Sequence, residues 1–101
     1  MAGLNKLGVA QAKNETRAGR YSDGGGLYLH IGKTSKKAGA KAIGKSWVFV
    51  WTRNKLKREM GLGAYRFVSL ALARELAAKY REDVYRGLDP IYERKKLSVF
   101  I

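Results

Sequence analysis

The sequence predicts an α+β domain: a three-stranded antiparallel β-meander packed against one C-terminal α-helix, with a short N-terminal helical segment. Three observations lead there. Residues 27–31 alternate with period 2, and residues 46–53 are a β-branched and aromatic run whose aromatic side chains recur at every second position, as strands do. A third extended run follows at 56–62 with no helix between, which favours antiparallel pairing. From Ser69 the apolar period changes to i+3/i+4.

Residues 4–12 (LNKLGVAQA) are expected to form one or two helical turns, with Asn5 as cap and Leu4, Leu7 and Val9 as core contacts. Residues 13–20 are polar and basic and read as a loop. Residues 22–26 (SDGGG) carry turn chemistry, because glycine reaches positive φ at little cost. The first strand, 27–31, sends Leu27, Leu29 and Ile31 to one face and Tyr28 and His30 to the other. A Gly/Ala/Lys loop over 32–45 holds Lys33, Lys36, Lys37, Lys41 and Lys45, and is long for a hairpin connection.

The second strand, 46–53 (SWVFVWTR), carries the strongest strand signal in the chain, with Trp47, Phe49 and Trp51 on one face and Val48, Val50 and Thr52 on the other. Arg53, Asn54 and Lys55 make a short basic turn, and the third strand runs 56–62 until Gly63 stops it. Both tryptophans belong to the core face, beside Leu27, Leu29, Ile31, Met60 and Leu62. The other face is left with Tyr28, His30, Val48, Val50, Thr52, Lys57, Glu59 and Gly61. The helix is capped by Ser69 and runs to about Arg86. Leu70, Ala73, Leu76, Ala77, Tyr80 and Val84 form its buried stripe, and Gly87 followed by Asp89 and Pro90 ends it. Residues 91–101 read as the start of a linker.

Composition narrows the function. With 101 residues, 46% hydrophobic and 29% charged, the chain is one globular domain rather than a disordered segment. It has no cysteine, which excludes disulfides and thiolate metal sites and makes the cytoplasm the expected compartment. No apolar run approaches the length of a membrane span, and no cofactor is expected. The net charge of +13 is uneven: residues 1–58 hold 13 basic and 2 acidic side chains, and residues 59–101 hold 8 and 6. Between Gly24 and Arg58 there are nine Lys/Arg and no Asp or Glu. A basic sheet backed by a nearly neutral helix points to a polyanionic partner.

Residues 39–46 (GAKAIGKS) match the phosphate-loop pattern letter for letter, but that chemistry needs a strand before the loop and a helix after it. Here a strand follows, so nucleotide binding is a remote alternative. His30 has no acidic neighbour in sequence and no obvious nucleophile, which makes it a surface or nucleic-acid-facing residue rather than a base.

Residues 21–29 (YSDGGGLYL) resemble the N-terminal arm-type DNA-binding domain of tyrosine-recombinase integrases of prophages and genomic islands. Four further segments match in order: 45–47 (KSW), 58–65 (REMGLGAY), 68–75 (VSLALARE) and 86–90 (RGLDP). The resemblance covers about residues 4–95. It implies a DNA-binding domain over 1–90 (an N-terminal segment 1–20, a sheet 21–65, a helix 69–87) whose sheet enters the major groove of arm-type sites in attachment DNA. It also implies that the catalytic tyrosine belongs to another domain, so that this chain binds double-stranded DNA and breaks none. The remaining integrase domains, and recombination-directionality and DNA-bending proteins, are the implied partners. Several features depart from the family pattern. Val48, Val50 and Thr52 stand on the middle strand where relatives alternate aromatic residues with arginine. The lysine loop is longer than the family leads one to expect. Arg66 stands where a proline is common. Leu72 stands where a glutamate would complete a capping box, so the helix start rests on Ser69.

The residues expected to touch DNA are Tyr28, His30, Thr52 and Lys57 at base edges, and Lys33, Lys36, Lys37, Lys41, Lys45, Arg53, Lys55 and again Lys57 at phosphates. The competing reading is an RNA or single-stranded nucleic-acid module that stacks bases on Tyr28.

Overall fold

The computed structural model describes residues 4–32 and 44–98. Along the chain run α1 (Val9–Asn14), β1 (Gly19–Gly24), β2 (Leu27–Ile31), β3 (Lys45–Arg53), β4 (Leu56–Ala64), α2 (Leu70–Tyr85) and α3 (Pro90–Ser98). The sheet is antiparallel in the order β1-β2-β3-β4. It has four strands, not the expected three. The extra strand is β1, built from residues that read as loop and turn. Its only large apolar side chain is Tyr21, so period 2 leaves almost no hydrophobic trace there. Pairing with β2, Arg20 opposite His30 and Ser22 opposite Tyr28, supplies the order that composition does not.

Two hairpin turns explain the tight connections. Gly25 and Gly26 both have positive φ, the backbone a two-residue turn needs to match strand twist. A side chain at Gly26 would meet the Val50 carbonyl oxygen at 2.5 Å, so only glycine lets β1–β2 close over β3. The β3–β4 turn uses Asn54 and Lys55, again both at positive φ. Gly63 does not end its strand. It sits beside a bulge where the register steps from Trp47 opposite Gly63 to Val48 opposite Gly61, and β4 continues to Ala64.

The core face is the expected one. Leu27, Leu29, Ile31, Trp47, Phe49, Trp51, Met60 and Leu62 are buried together with Leu70, Ala73, Ala77 and Tyr80 of α2. Phe49 stacks on Trp51 with ring centroids 5.6 Å apart and meets Tyr80 at 6.4 Å. The Trp47 indole N–H donates to the Val68 carbonyl at 2.7 Å, whereas the Trp51 indole N–H is buried with no partner among the described residues. At the start of α2 the Ser69 hydroxyl accepts from the Leu72 N–H at 3.1 Å, a cap without a box. At its end Gly87 has φ +81°, with Gly87 N–H donating to Val84 O and Leu88 N–H to Asp83 O, the paired bonds of a Schellman motif. Asp89 then caps α3 through the Ile91 N–H, with Pro90 at the first helical position. Residues 91–98, expected as linker, are therefore helical.

The N-terminal helix begins later than expected. Asn5 has positive φ, Gly8 is the N-cap, and of Leu4, Leu7 and Val9 only Leu7 is buried. What draws this segment in is Asp23. A bulge between Ser22 and Gly24 takes Asp23 out of the ladder, and the residue is only 2% exposed. Its carboxylate accepts from the Leu7 N–H at 2.8 Å and from two nitrogens of Arg74 at 2.9 Å each, and Arg74 also donates to the Leu7 carbonyl at 2.8 Å. The hydrogen bond from Arg74 to Asp23 raises the guanidinium above its ordinary value.

Two stability outcomes follow. Arg74→Ala strands a buried carboxylate and is expected to cost about 3 kcal/mol, Asp23→Ala somewhat less, and the double variant less than their sum. Urea denaturation of the four proteins measures this. Trp47→Phe orphans the Val68 carbonyl and is expected to cost about 2 kcal/mol, whereas Trp51→Phe removes an unpaired donor and costs about 1 kcal/mol or less. Equal losses in thermal melts would contradict the assignment.

Candidate nucleic-acid interface

Strand alternation decides which side chains leave the core. Opposite the Trp47/Phe49/Trp51 face, the sheet presents Arg20 and Ser22 from β1, Tyr28 and His30 from β2, Val48, Val50 and Thr52 from β3, and Lys57, Glu59 and Gly61 from β4. Thr52, Lys57 and Glu59 are exposed, and Tyr28, His30 and Val50 are half-buried. Tyr28, His30, Thr52 and Lys57 thus share one face, as the period-2 reading expects. Lys55 is exposed at the β3–β4 turn, where its charge adjoins Lys57.

Two of the expected phosphate contacts are turned elsewhere. The Lys45 ammonium donates to the Ala12 and Lys13 carbonyls at 2.8 Å each, holding the C-terminal end of α1, and lies 5.1 Å from the Tyr65 ring centroid. Arg53 donates to the Gly87 carbonyl at the end of α2. Both are strand-end residues whose nearest unsatisfied acceptors are helix carbonyls, which sequence alone does not place beside them. Lys33, Lys36, Lys37 and Lys41 lie outside the described residues. Lys45 and Ser46 open β3, so the phosphate-loop match is followed by a strand and has no helix N-terminus to bind phosphate.

The residues that sequence reasoning missed are a pair. Arg20 stands on β1 and Glu59 on β4, the two outer strands, yet they form a forked ion pair with bonds of 2.8 and 2.9 Å. Three strand spacings are about 14 Å, which two extended side chains span only by crossing over β2 and β3. The Arg20 Nε lies 3.4 Å from His30 Nδ1 along the way. Val48, at the middle of this face, is only 8% exposed as a result of its neighbours. The Arg20 hydrogen bond holds the Glu59 carboxyl below its ordinary value, and Glu59 raises Arg20 in turn. Glu59 is visible on this face from period 2. Arg20 is not, because β1 carries no readable alternation.

What the face can do follows from its groups. It offers guanidinium, ammonium, imidazole and hydroxyl donors beside threonine and valine methyls, a set suited to the acceptors and methyl groups of a nucleic-acid groove. Among the described residues there is no cluster of His, Asp and Glu able to hold a metal ion, and no helix long and apolar enough to cross a membrane.

Known proteins carry the same pattern. The sequence profile of the arm DNA-binding domain matches residues 4–97. The integrase of Shigella phage Sf6 and the prophage integrase IntS of Escherichia coli K12 are each 28% identical to this chain over 90 residues, 89% of its length. The chain spans about a fifth of those relatives, 21% of each.

The ion pair carries its own pH dependence. Because the folded-state value of Glu59 is lowered, the pair's contribution is present above the ordinary glutamate range and is lost as pH falls through the depressed value. A carboxyl NMR titration should find the Glu59 midpoint below that of an unpaired glutamate, and Arg20→Ala should move it up. An unchanged midpoint would mean that the fork does not form in solution.

Proposed function

The chain belongs to the arm DNA-binding domain family, and from that membership we propose that it is the DNA-recognition module of a phage or prophage integrase, binding arm-type sites of attachment DNA as a duplex. The parent protein is then a tyrosine recombinase whose catalytic residues lie in another domain, and it works in the cytoplasm with the accessory proteins of recombination. The observation that carries this reading is the polar sheet face opposite the aromatic core, with Tyr28 and His30 on β2 and, further along the same face, Thr52 paired with Lys57 across β3 and β4.

Sheet readers enter the major groove, whose edges offer acceptors and the thymine methyl for recognition. Tyr28, His30 and Thr52 meet base edges in this reading. Lys57 and Lys55 border the phosphates on the β4 side, and Lys33, Lys36, Lys37 and Lys41 of the connection before β3 grip the backbone beyond. Lys45 and Arg53 serve the fold first, since each already holds a helix end. The chemistry asked of the domain is positioning: phosphate contacts fix the register and base contacts choose the site.

Fluorescence anisotropy of this chain on attachment-arm repeats, scrambled duplex and single strands tests the reading. Duplex is expected to be preferred, with log K falling against log salt at a slope of about −5 for six neutralised phosphates. Replacing Lys55 and Lys57 together by Ala should flatten the slope by about 2 units. Salt-independent affinity would remove the phosphate contacts from the account. Preference for single strands, lost on Tyr28→Ala, would replace groove docking by base stacking.

A further inference from the structure

The Arg20–Glu59 fork lies across the face that the preceding reading gives to DNA, and it rests on that reading. We propose that Glu59 is an internal substitute for DNA: it occupies the paired-acceptor seat on Arg20, and docking exchanges the carboxylate for a pair of acceptors on the duplex.

The geometry carries this in three steps. First, Arg20 and Glu59 come from the two outer strands and meet above the two inner ones, so a groove edge approaching the middle of the face encounters the fork before it encounters Val48. Second, the bond is bidentate, and the same planar fork fits a phosphate or the O6/N7 edge of guanine. Third, both side chains are open to water, 34% and 48% exposed, and an exposed pair is easily exchanged for another anion. The other titratable groups acting on the fork are Lys57 and His30, which lower Glu59 electrostatically, and Tyr28, which acts on Arg20; none replaces Arg20 as the hydrogen-bond partner of Glu59. Once displaced, the Glu59 carboxylate is left near a polyanion. The carboxylate is given up only where the duplex places a pair of acceptors at Arg20, so a duplex that offers none there meets its repulsion uncompensated. Glu59 is thereby a specificity-determining residue, and Arg20 is a DNA contact supplied by the strand that sequence periodicity does not reveal.

The experiment compares the wild-type chain with Glu59→Gln and with Glu75→Gln, a charge-matched change on an exposed position of α2, behind the sheet. The probes are a mixed-sequence duplex and a guanine-free dA·dT duplex at about 100 mM salt. Glu59→Gln is expected to bind mixed duplex about 5-fold more tightly than wild type, with a salt slope steeper by about 1, whereas Glu75→Gln changes affinity less than about 2-fold. Arg20→Lys keeps the charge but not the fork, and adding it should abolish the gain. A gain on both duplexes supports exchange with phosphate, and a gain confined to the guanine-containing duplex supports exchange with a base edge. Equal effects of Glu59→Gln and Glu75→Gln, or a gain that survives Arg20→Lys, would overturn the exchange while leaving duplex binding intact. No duplex binding by any variant would overturn the DNA-binding reading, and the exchange with it.

Discussion

The buried carboxylate of Asp23 is the constraint on which the arrangement depends. A charge with 2% exposure is stable only when its oxygens are satisfied, and here three parts of the chain converge to do so. Leu7 brings in the N-terminal segment, Arg74 brings in α2, and the bulge at Ser22/Gly24 turns Asp23 towards both. Without that bulge the residue after Ser22 would continue the ladder, and β1 would offer α2 nothing to bond. The Arg74 side chain closes the set by donating to the Leu7 carbonyl as well. One residue therefore ties together the segment before α1, the edge of the sheet and the long helix.

The opposite end of the sheet is tied by the same logic with weaker bonds. Arg58 pairs with Asp89 at 3.0 Å, Arg53 donates to Gly87, and Arg94 donates to the Gly61 carbonyl at 2.7 Å. Each is an arginine of one element held by an acceptor of another: the Asp89 carboxylate before α3, the Gly87 carbonyl after α2 and the Gly61 carbonyl of β4. Part of the high positive charge is thus structural. Among the described residues, the charge that remains on the open face is modest and is organised by the Arg20–Glu59 ion pair. A DNA-binding surface need not be the most basic patch on the molecule. It needs donors on an element that fits a groove, and the sheet face opposite the aromatic core is the element proposed for that role.

Much of this was legible in the residues. The alternation in 27–31 and 46–53 located two strands, the core face and the open face. The i+3/i+4 stripe located α2, and Ser69 and Gly87 located its ends. These signals are strong because each side chain's burial follows from backbone period alone. The resemblance to integrase arm domains agreed with the family to which the chain belongs. What was not legible is also physical. β1 lacks apolar alternation, because its side chains serve a turn, a buried carboxylate and an exposed guanidinium. Gly63 reads as a stop because glycine weakens strands, yet in a bulge its positive φ is what lets the strand go on. Pro90 reads as the end of a helix, and it begins the next one.

Local pattern by itself determined the class, the core and the face available for recognition. Those properties depend on periodicity and composition, and both are written residue by residue. Tertiary structure alone decided which of the described charges pair with one another and with helix ends. Lys45 and Arg53, expected at phosphates, have carbonyls at helix ends as partners, and Arg20, expected in a loop, pairs with β2 and reaches across the sheet to Glu59. The reason is that an ionic partner is set by distance in space. Arg20 and Glu59 are 39 residues apart in the chain, and only the folding of four strands into one sheet brings them within a hydrogen bond.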